Sequence, residues 1–234
     1  MIKAVLFDLD GTLLPMDQDI FIKTYFQALV KNMAPHDYEP ELTMKAVWTG
    51  TMAMIKNDGR ITNEDAFWNA FGQFFDKDVR ADEPLFEAFY REKFDRVKDC
   101  CGYDAQAKAL VEACKEKGFS VVLATNPLFP AIATQKRMSW AGFVPEDFEL
   151  YTTYENSSFC KPNLKYYEEI LAKMNLSPEE CVMIGNDVSD DMVVTQLGMK
   201  VFLLTDCLIN KDNVDISVYP KGSFKEAIDF IRHL

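Results

Sequence analysis

The chain has 234 residues, 48% of them apolar and 26% charged, and its 25 basic against 37 acidic side chains leave a net charge of −12. With 18 Phe, 9 Tyr and 3 Trp this is not the composition of a disordered chain, and the length suits one large domain or a core with a smaller insert. No apolar run approaches the roughly 18 residues of a membrane span and no basic stretch occurs, so neither nucleic acid nor an anionic membrane is expected as a partner. A strand-like run starting at Ile2 leaves no room for a leader peptide. The expectation is a cytoplasmic protein, a monomer or weak dimer.

The first run, Ile2 to Asp8, is short and apolar and stops at Asp10-Gly11, which reads as a buried strand ending in a turn. Residues 16–97 then carry helical signals only. Ile22, Phe26, Leu29, Val30 and Met33 form a stripe that ends at Pro35. Thr62-x-x-Asp65 caps a helix bearing Phe67, Phe71, Phe74 and Phe75, and Phe86, Phe89, Tyr90 and Phe94 continue in another. Aromatic residues at this spacing are read as core.

From residue 102 onward strands and helices alternate. Strand-like runs lie at Phe119–Ala124, Phe148–Thr152, Cys181–Ile184 and Val201–Leu204. Helical stripes run through Ala107, Leu110, Val111 and Cys114, and through Leu164, Tyr167, Leu171 and Met174. The capping box Ser223-x-x-Glu226 opens a last helix. This alternation predicts an α/β fold, a doubly wound parallel-sheet core (residues 1–15 and 98–234) with an inserted all-helical domain (16–97).

The six cysteines contain no C-x-x-C pair, and neither His36 nor His233 stands at zinc spacing from them. Reduced thiols are the simpler reading, though the vicinal Cys100–Cys101 pair offers a redox alternative.

The strongest chemical signal is Leu6-Phe7-Asp8-Leu9-Asp10-Gly11-Thr12-Leu13. Side chains alternate along a strand, so Asp8 and Asp10 point to one side near its carboxyl end, where open α/β sheets bind ligands. Two carboxylates held together repel, and a divalent cation is the natural compensation. Three further pieces fall at later strand ends. Thr125-Asn126 brings a hydroxyl and an amide, Lys161 an ammonium, and Gly185-Asn186-Asp187-Val188-Ser189-Asp190-Asp191 an acidic loop. Each alone reads equally as a polar strand end, a solvated lysine or a charged helix start; their order makes them a set.

That order resembles the haloacid dehalogenase superfamily, in particular its phosphatase-like members with an all-helical cap. The resemblance implies that Asp8 is a nucleophile forming an aspartyl-phosphate and Asp10 a general acid/base. It implies phosphate-binding roles for Thr125, Asn126 and Lys161. It places Mg2+ on the Asp8 carboxylate, the Asp10 backbone carbonyl and the acidic loop. The usual Gly-Asp-x-x-x-Asp is here Gly-Asn-Asp, so Asp187 is preferred as the direct ligand, with Asn186 and Asp191 as metal support. The expected substrate is a small phosphorylated metabolite.

Other chemistries stay open. A dehalogenase is disfavoured by Asp10, since halide leaves without a proton. A phosphonatase would need a cap lysine such as Lys23, Lys45 or Lys56. A phosphosugar mutase shares every core motif. A catalytically silent phospho-ligand-binding protein would usually have lost one of the motif residues. The polar turn Lys56-Asn57-Asp58-Gly59-Arg60 is expected at a tip of the insert, where Lys56 and Arg60 could set substrate specificity.

Overall fold

In the computed structural model, which describes residues 1–234, Ala4–Phe7 forms strand β1 with all four side chains buried. Five more strands follow: β2 (Ser120–Leu123), β3 (Leu150–Tyr151), β4 (Cys181–Gly185), β5 (Lys200–Leu204) and β6 (Lys221–Gly222). They form one parallel sheet in the order β3-β2-β1-β4-β5-β6, with β1 in its interior. A parallel sheet buried on both faces needs apolar residues at consecutive positions, which is why β1, β2 and β4 read as continuous apolar runs. The two-residue β6 carries Lys221 and Gly222 and has no such signal.

Eight α-helices complete the chain. Four lie within residues 16–97: α1 (Gln18–Met33), α2 (Pro40–Ile55), α3 (Asn63–Phe71) and α4 (Glu83–Glu92). The others are α5 (Ala105–Glu116), α6 (Ala131–Trp140), α7 (Leu164–Met174) and α8 (Phe224–Arg232). Their starts have local causes. Asp17, Glu39, Thr62, Asp104, Asn163 and Ser223 each accept a hydrogen bond from a backbone N–H of the first helical turn. The exceptions are α4, which has no side-chain cap, and α6. The N-cap of α6 is Pro130, and the Ala131 N–H is taken instead by the Glu155 carboxylate, from the loop after β3. No local motif announces that helix, and sequence reading does not find it.

Strand alternation divides the core in two. Val5, Phe7, Val121, Leu123 and Ile184 face one cluster, while Ala4, Leu6, Val122 and Met183 face the other, against α7. The first cluster continues into the helical segment through Phe71, Phe86, Phe89 and Phe94. The two parts of the chain therefore share apolar core. They are also joined at a narrow neck, where Met16 bridges Cys101 and the Gly102 N–H donates to the Pro15 carbonyl at 2.7 Å.

Three sequence expectations need adjustment. Phe74 and Phe75 lie beyond α3, which stops at Phe71 before a 3-10 turn starting at Gly72. Phe94 opens a separate 3-10 segment, Phe94–Cys100, rather than extending α4. On α1 the buried residues include Phe21 and Tyr25, whereas Ile22 is 43% exposed at the mouth of a cavity described below. All six cysteines are free. No helix is long and apolar enough to cross a membrane.

Phe94 is fully buried where the helical segment meets α6, its ring 4.9 Å from that of Trp140 and 5.4 Å from that of Tyr90. Phe94→Ala should lower the unfolding free energy by about 3–5 kcal/mol, the usual cost of emptying a buried aromatic site. Urea unfolding followed by circular dichroism measures it.

Candidate active site

The register of the central strands sets the site. Phe7 lies opposite both Leu123 of β2 and Ile184 of β4, so the chain leaves three neighbouring strands at one level: at Asp8, at Ala124-Thr125 and at Gly185-Asn186. The Asp8 N–H donates to the Ile184 carbonyl at 3.0 Å, which holds the first carboxylate at this edge.

Lys161 ties the carboxylates together. Its ammonium, buried to 3% exposure, donates to Asp8 Oδ1 at 2.8 Å and to Asp191 Oδ1 at 2.6 Å. Burial opposes the charge of Lys161, but the Asp191 and Asp8 carboxylates outweigh it and hold the ammonium pKa well above its ordinary value. Burial pushes the Asp191 carboxyl up, with Lys161 pulling the other way. Asp191 Oδ2 also accepts the Asp187 N–H at 3.0 Å, so it clamps the acidic loop. Gly185 is required here, because a Cβ would come within 2.1 Å of Asp191 Oδ2.

Asp10 has a partner that sequence reading missed. Arg137 of α6, 1% exposed, forms an ion pair with Asp10 Oδ2 and stacks 4.4 Å from the centre of the Phe129 ring. Desolvation raises the Asp10 carboxyl above the usual carboxylate range despite the opposing pull of Arg137. Arg137 escaped notice because its helix did, and a buried arginine departs from the apolar pattern by which helices are found.

Asn186 and Asp187 part company. The Asn186 side chain accepts from the Thr12 hydroxyl at 2.8 Å and donates to the Cys207 carbonyl at 2.7 Å. It packs under Gly11, whose φ of +85° and 2.4 Å clearance for a Cβ leave room for glycine alone. Asp187 instead lines a cavity of about 130 Å3 with Asp8, Asp10, Thr125, Asn126 and Lys161. Asp187 Oδ1 is taken by the Ser189 and Asp190 N–H groups, at 2.7 and 3.0 Å.

No three His, Cys, Asp or Glu side chains are gathered as a ready-made metal cage. The expected donor set is different, two carboxylates and one backbone carbonyl, and all three residues line the cavity. The Asp10 carbonyl accepts only a long 3.3 Å bond from Gln18 Nε2. Asp10 Oδ1 and Asn126 Oδ1 are buried acceptors without a partner in the chain. An all-oxygen site with unsatisfied acceptors suits a hard cation.

Lys56 and Arg60 are not brought to this site. Both are exposed and line neither cavity, and Arg60 folds back to pair with Asp58 at 2.5 Å. Their turn does not overhang the carboxylates. Gly59 packs on Phe159, and Asn57 donates to Asn63, which in turn donates to the Phe159 carbonyl at 3.2 Å. Arg60 is held within its own turn, and neither cation reaches the wall of either cavity.

A family model described as haloacid dehalogenase-like hydrolase matches residues 2–193, most of the chain. The chain belongs to that family. Among curated relatives, the glyceraldehyde 3-phosphate phosphatase of Methanothermobacter thermautotrophicus is 27% identical, covering 93% of this chain and 95% of its own. Among solved structures, a 2-haloacid dehalogenase from Pseudomonas syringae pv. Tomato superimposes with a TM-score of 0.62 at 18% identity, covering 100% of this chain and 99% of that one. A HAD phosphatase from Thermococcus onnurineus gives 0.58 at 18% identity and 98% of each chain. These likenesses show that the α/β core with its helical insert is the family's fold.

Asp190 lies beside this cluster, and burial lifts its carboxyl to about 6. An unfolded chain ionises that group near pH 4, earlier than the folded one, so its contribution favours folding below about pH 4 and is lost as pH rises through 6. Asp190→Asn should therefore raise stability by about 1–2 kcal/mol at pH 8 and leave it unchanged near pH 3.5. Urea unfolding in EDTA at the two pH values provides the comparison.

Proposed function

We propose that the protein is a Mg2+-dependent phosphatase that hydrolyses a small phosphate monoester through an aspartyl-phosphate on Asp8. The observation that carries the reading is the buried Lys161 ammonium bridging Asp8 and Asp191 at the mouth-side edge of the sheet, next to Thr125 and Asp10. A dianionic ester can approach a carboxylate nucleophile only where charge is cancelled in advance. The curated relative named as a glyceraldehyde 3-phosphate phosphatase acts on a molecule of this class. In this reading residues 16–97 are a cap over a core of residues 1–15 and 98–234.

The Asp8 carboxylate attacks phosphorus, the ester P–O bond breaks, and the departing alkoxide takes a proton from Asp10. Water then attacks the acyl-phosphate and gives its proton back to Asp10, releasing inorganic phosphate and restoring Asp8. The raised Asp10 carboxyl suits the first step, and Arg137 fixes its orientation. Thr125, Asn126 and Lys161 hold the phosphoryl oxygens as charge builds. The Asp8 carboxylate, the Asp10 carbonyl and Asp187 would hold Mg2+, with Asp191 and Asn186 fixing the loop that carries Asp187. When bound, the ion supplies charge neutralisation at the phosphate.

A phosphonatase gains no support, since Lys23, Lys45 and Lys56 line neither cavity. A silent binding protein is distinguished by turnover of p-nitrophenyl phosphate, expected with Mg2+ and lost in EDTA.

Asp8→Asn keeps the shape of the side chain and removes its nucleophilic charge. Turnover should fall at least about 100-fold with the unfolding midpoint little changed. Residual activity above that level would rule out covalent catalysis by Asp8.

Asp187→Ala should weaken Mg2+ activation more than Asn186→Ala does, read as the shift in half-saturating Mg2+. A larger shift for Asn186→Ala would assign the ligand to the other loop register.

A further inference from the structure

A second cavity, about 420 Å3, lies between α1–α4 and the core segments 128–135 and 154–155. Ile22, Leu128 and Phe129 line both it and the carboxylate cavity, so the two adjoin along a shared apolar edge. The smaller cavity has the scale of a phosphoryl group, whereas the larger falls within the 300–1,000 Å3 typical of small-molecule pockets.

Its lining is apolar: 15 of 22 residues are hydrophobic, with Tyr25, Phe26, Trp48, Trp68, Phe86 and Tyr90 among them. The polar groups in the wall are largely satisfied by the protein. The Tyr25 and Tyr90 hydroxyls bond each other at 2.7 Å, Thr51 donates to the Val47 carbonyl, and the Gln135 amide donates to the Tyr151 hydroxyl. The buried Trp68 indole N–H makes no hydrogen bond, and the Tyr154 hydroxyl stands in the same wall. The charges in the wall are Glu83, Glu87, Glu155 and a single cation, Arg91, whose guanidinium lies 3.6 Å from Glu87. Three carboxylates against one guanidinium make the wall unfavourable to a second anion. At the mouth stand Trp48 and Ile22, 55% and 43% exposed, an apolar entrance on a surface that is otherwise strongly acidic.

We propose that this cavity receives the leaving-group half of the substrate, a largely apolar, uncharged group, which makes the substrate the monophosphate of an apolar or aryl-alkyl alcohol with no second anionic group. This rests on the phosphatase reading for the reacting half of the molecule. Discrimination then comes from the aromatic wall of the cap, with the phosphate gripped by the core.

The test compares 2-phenylethyl phosphate with ethyl phosphate, whose leaving alcohols have similar acidity, so that chemistry contributes little to the difference. In the wild-type protein kcat/KM should be at least about 10-fold higher for the phenylethyl ester, equivalent to ~1.4 kcal/mol, and expressed mainly in KM. Trp48→Ala, at a largely exposed position, should reduce that ratio at least about threefold. Equal kcat/KM for the two esters, or an unchanged ratio in Trp48→Ala, would overturn the assignment. A titration of tryptophan fluorescence with 2-phenylethanol gives a readout independent of turnover. Saturable change in the wild type, weakened by Trp48→Ala, supports the site, and no change overturns it. If neither ester is hydrolysed but the alcohol binds, the phosphatase reading fails while the apolar site stands.

Discussion

The structure depends on one buried cation. Asp8 and Asp191 belong to segments 183 positions apart in the chain, and both carboxylates contact the Lys161 ammonium at the carboxyl edge of the sheet. Like charges a few ångströms apart repel by several kcal/mol even at an effective dielectric near 20, so such a cluster needs a permanent counter-charge to fold. Lys161 supplies it. Arg137 pairs likewise with Asp10, reaching it from α6.

Around this charged edge the apolar packing is divided unequally. The sheet face covered by α7 has a core of its own, whereas the other face runs on into the helical segment through Phe71, Phe86, Phe89 and Phe94. Phe129 stands at the junction. Its ring carries the Arg137 guanidinium, packs near Tyr25 at 5.1 Å, and lines both cavities. One aromatic side chain thereby links the orientation of Asp10 to the wall of the larger pocket.

Charge and apolar surface are physically separate in this chain. Asp8, Asp10 and Lys161 gather at the carboxyl edge of the sheet, where backbone geometry is fixed by the parallel ladder, whereas the helices contribute aromatic rings and few charges to the wall of the larger cavity.

Much of the fold was legible in the sequence because its causes are local. Buried parallel strands read as unbroken apolar runs, six helices have a cap residue beside their first turn, and Asp8-x-Asp10-Gly11 marks the end of the central strand. The motif residues Asp8, Asp10, Thr125, Lys161 and Asp187 do line one cavity: four of them lie just past the ends of β1, β2 and β4, and Lys161 joins them through its contacts with Asp8 and Asp191. What the sequence hid has non-local causes. Helix α6 is capped by Glu155, 24 residues further on, so no neighbouring residue signals it. Arg137 is a site residue only because that helix turns it toward Asp10. Lys56 and Arg60 line neither cavity, and Arg60 is paired with Asp58 of its own turn. Whether Asn186 or Asp187 faced the cavity was undecided by spacing, and the contacts of Asn186 with Thr12 and Cys207 turn it aside. Sequence alone determined which residues end the strands; the side-chain partners that orient them, and the aromatic cavity beside them, arise only when distant segments pack, because a hydrogen bond or a void has no signature in any one stretch of chain.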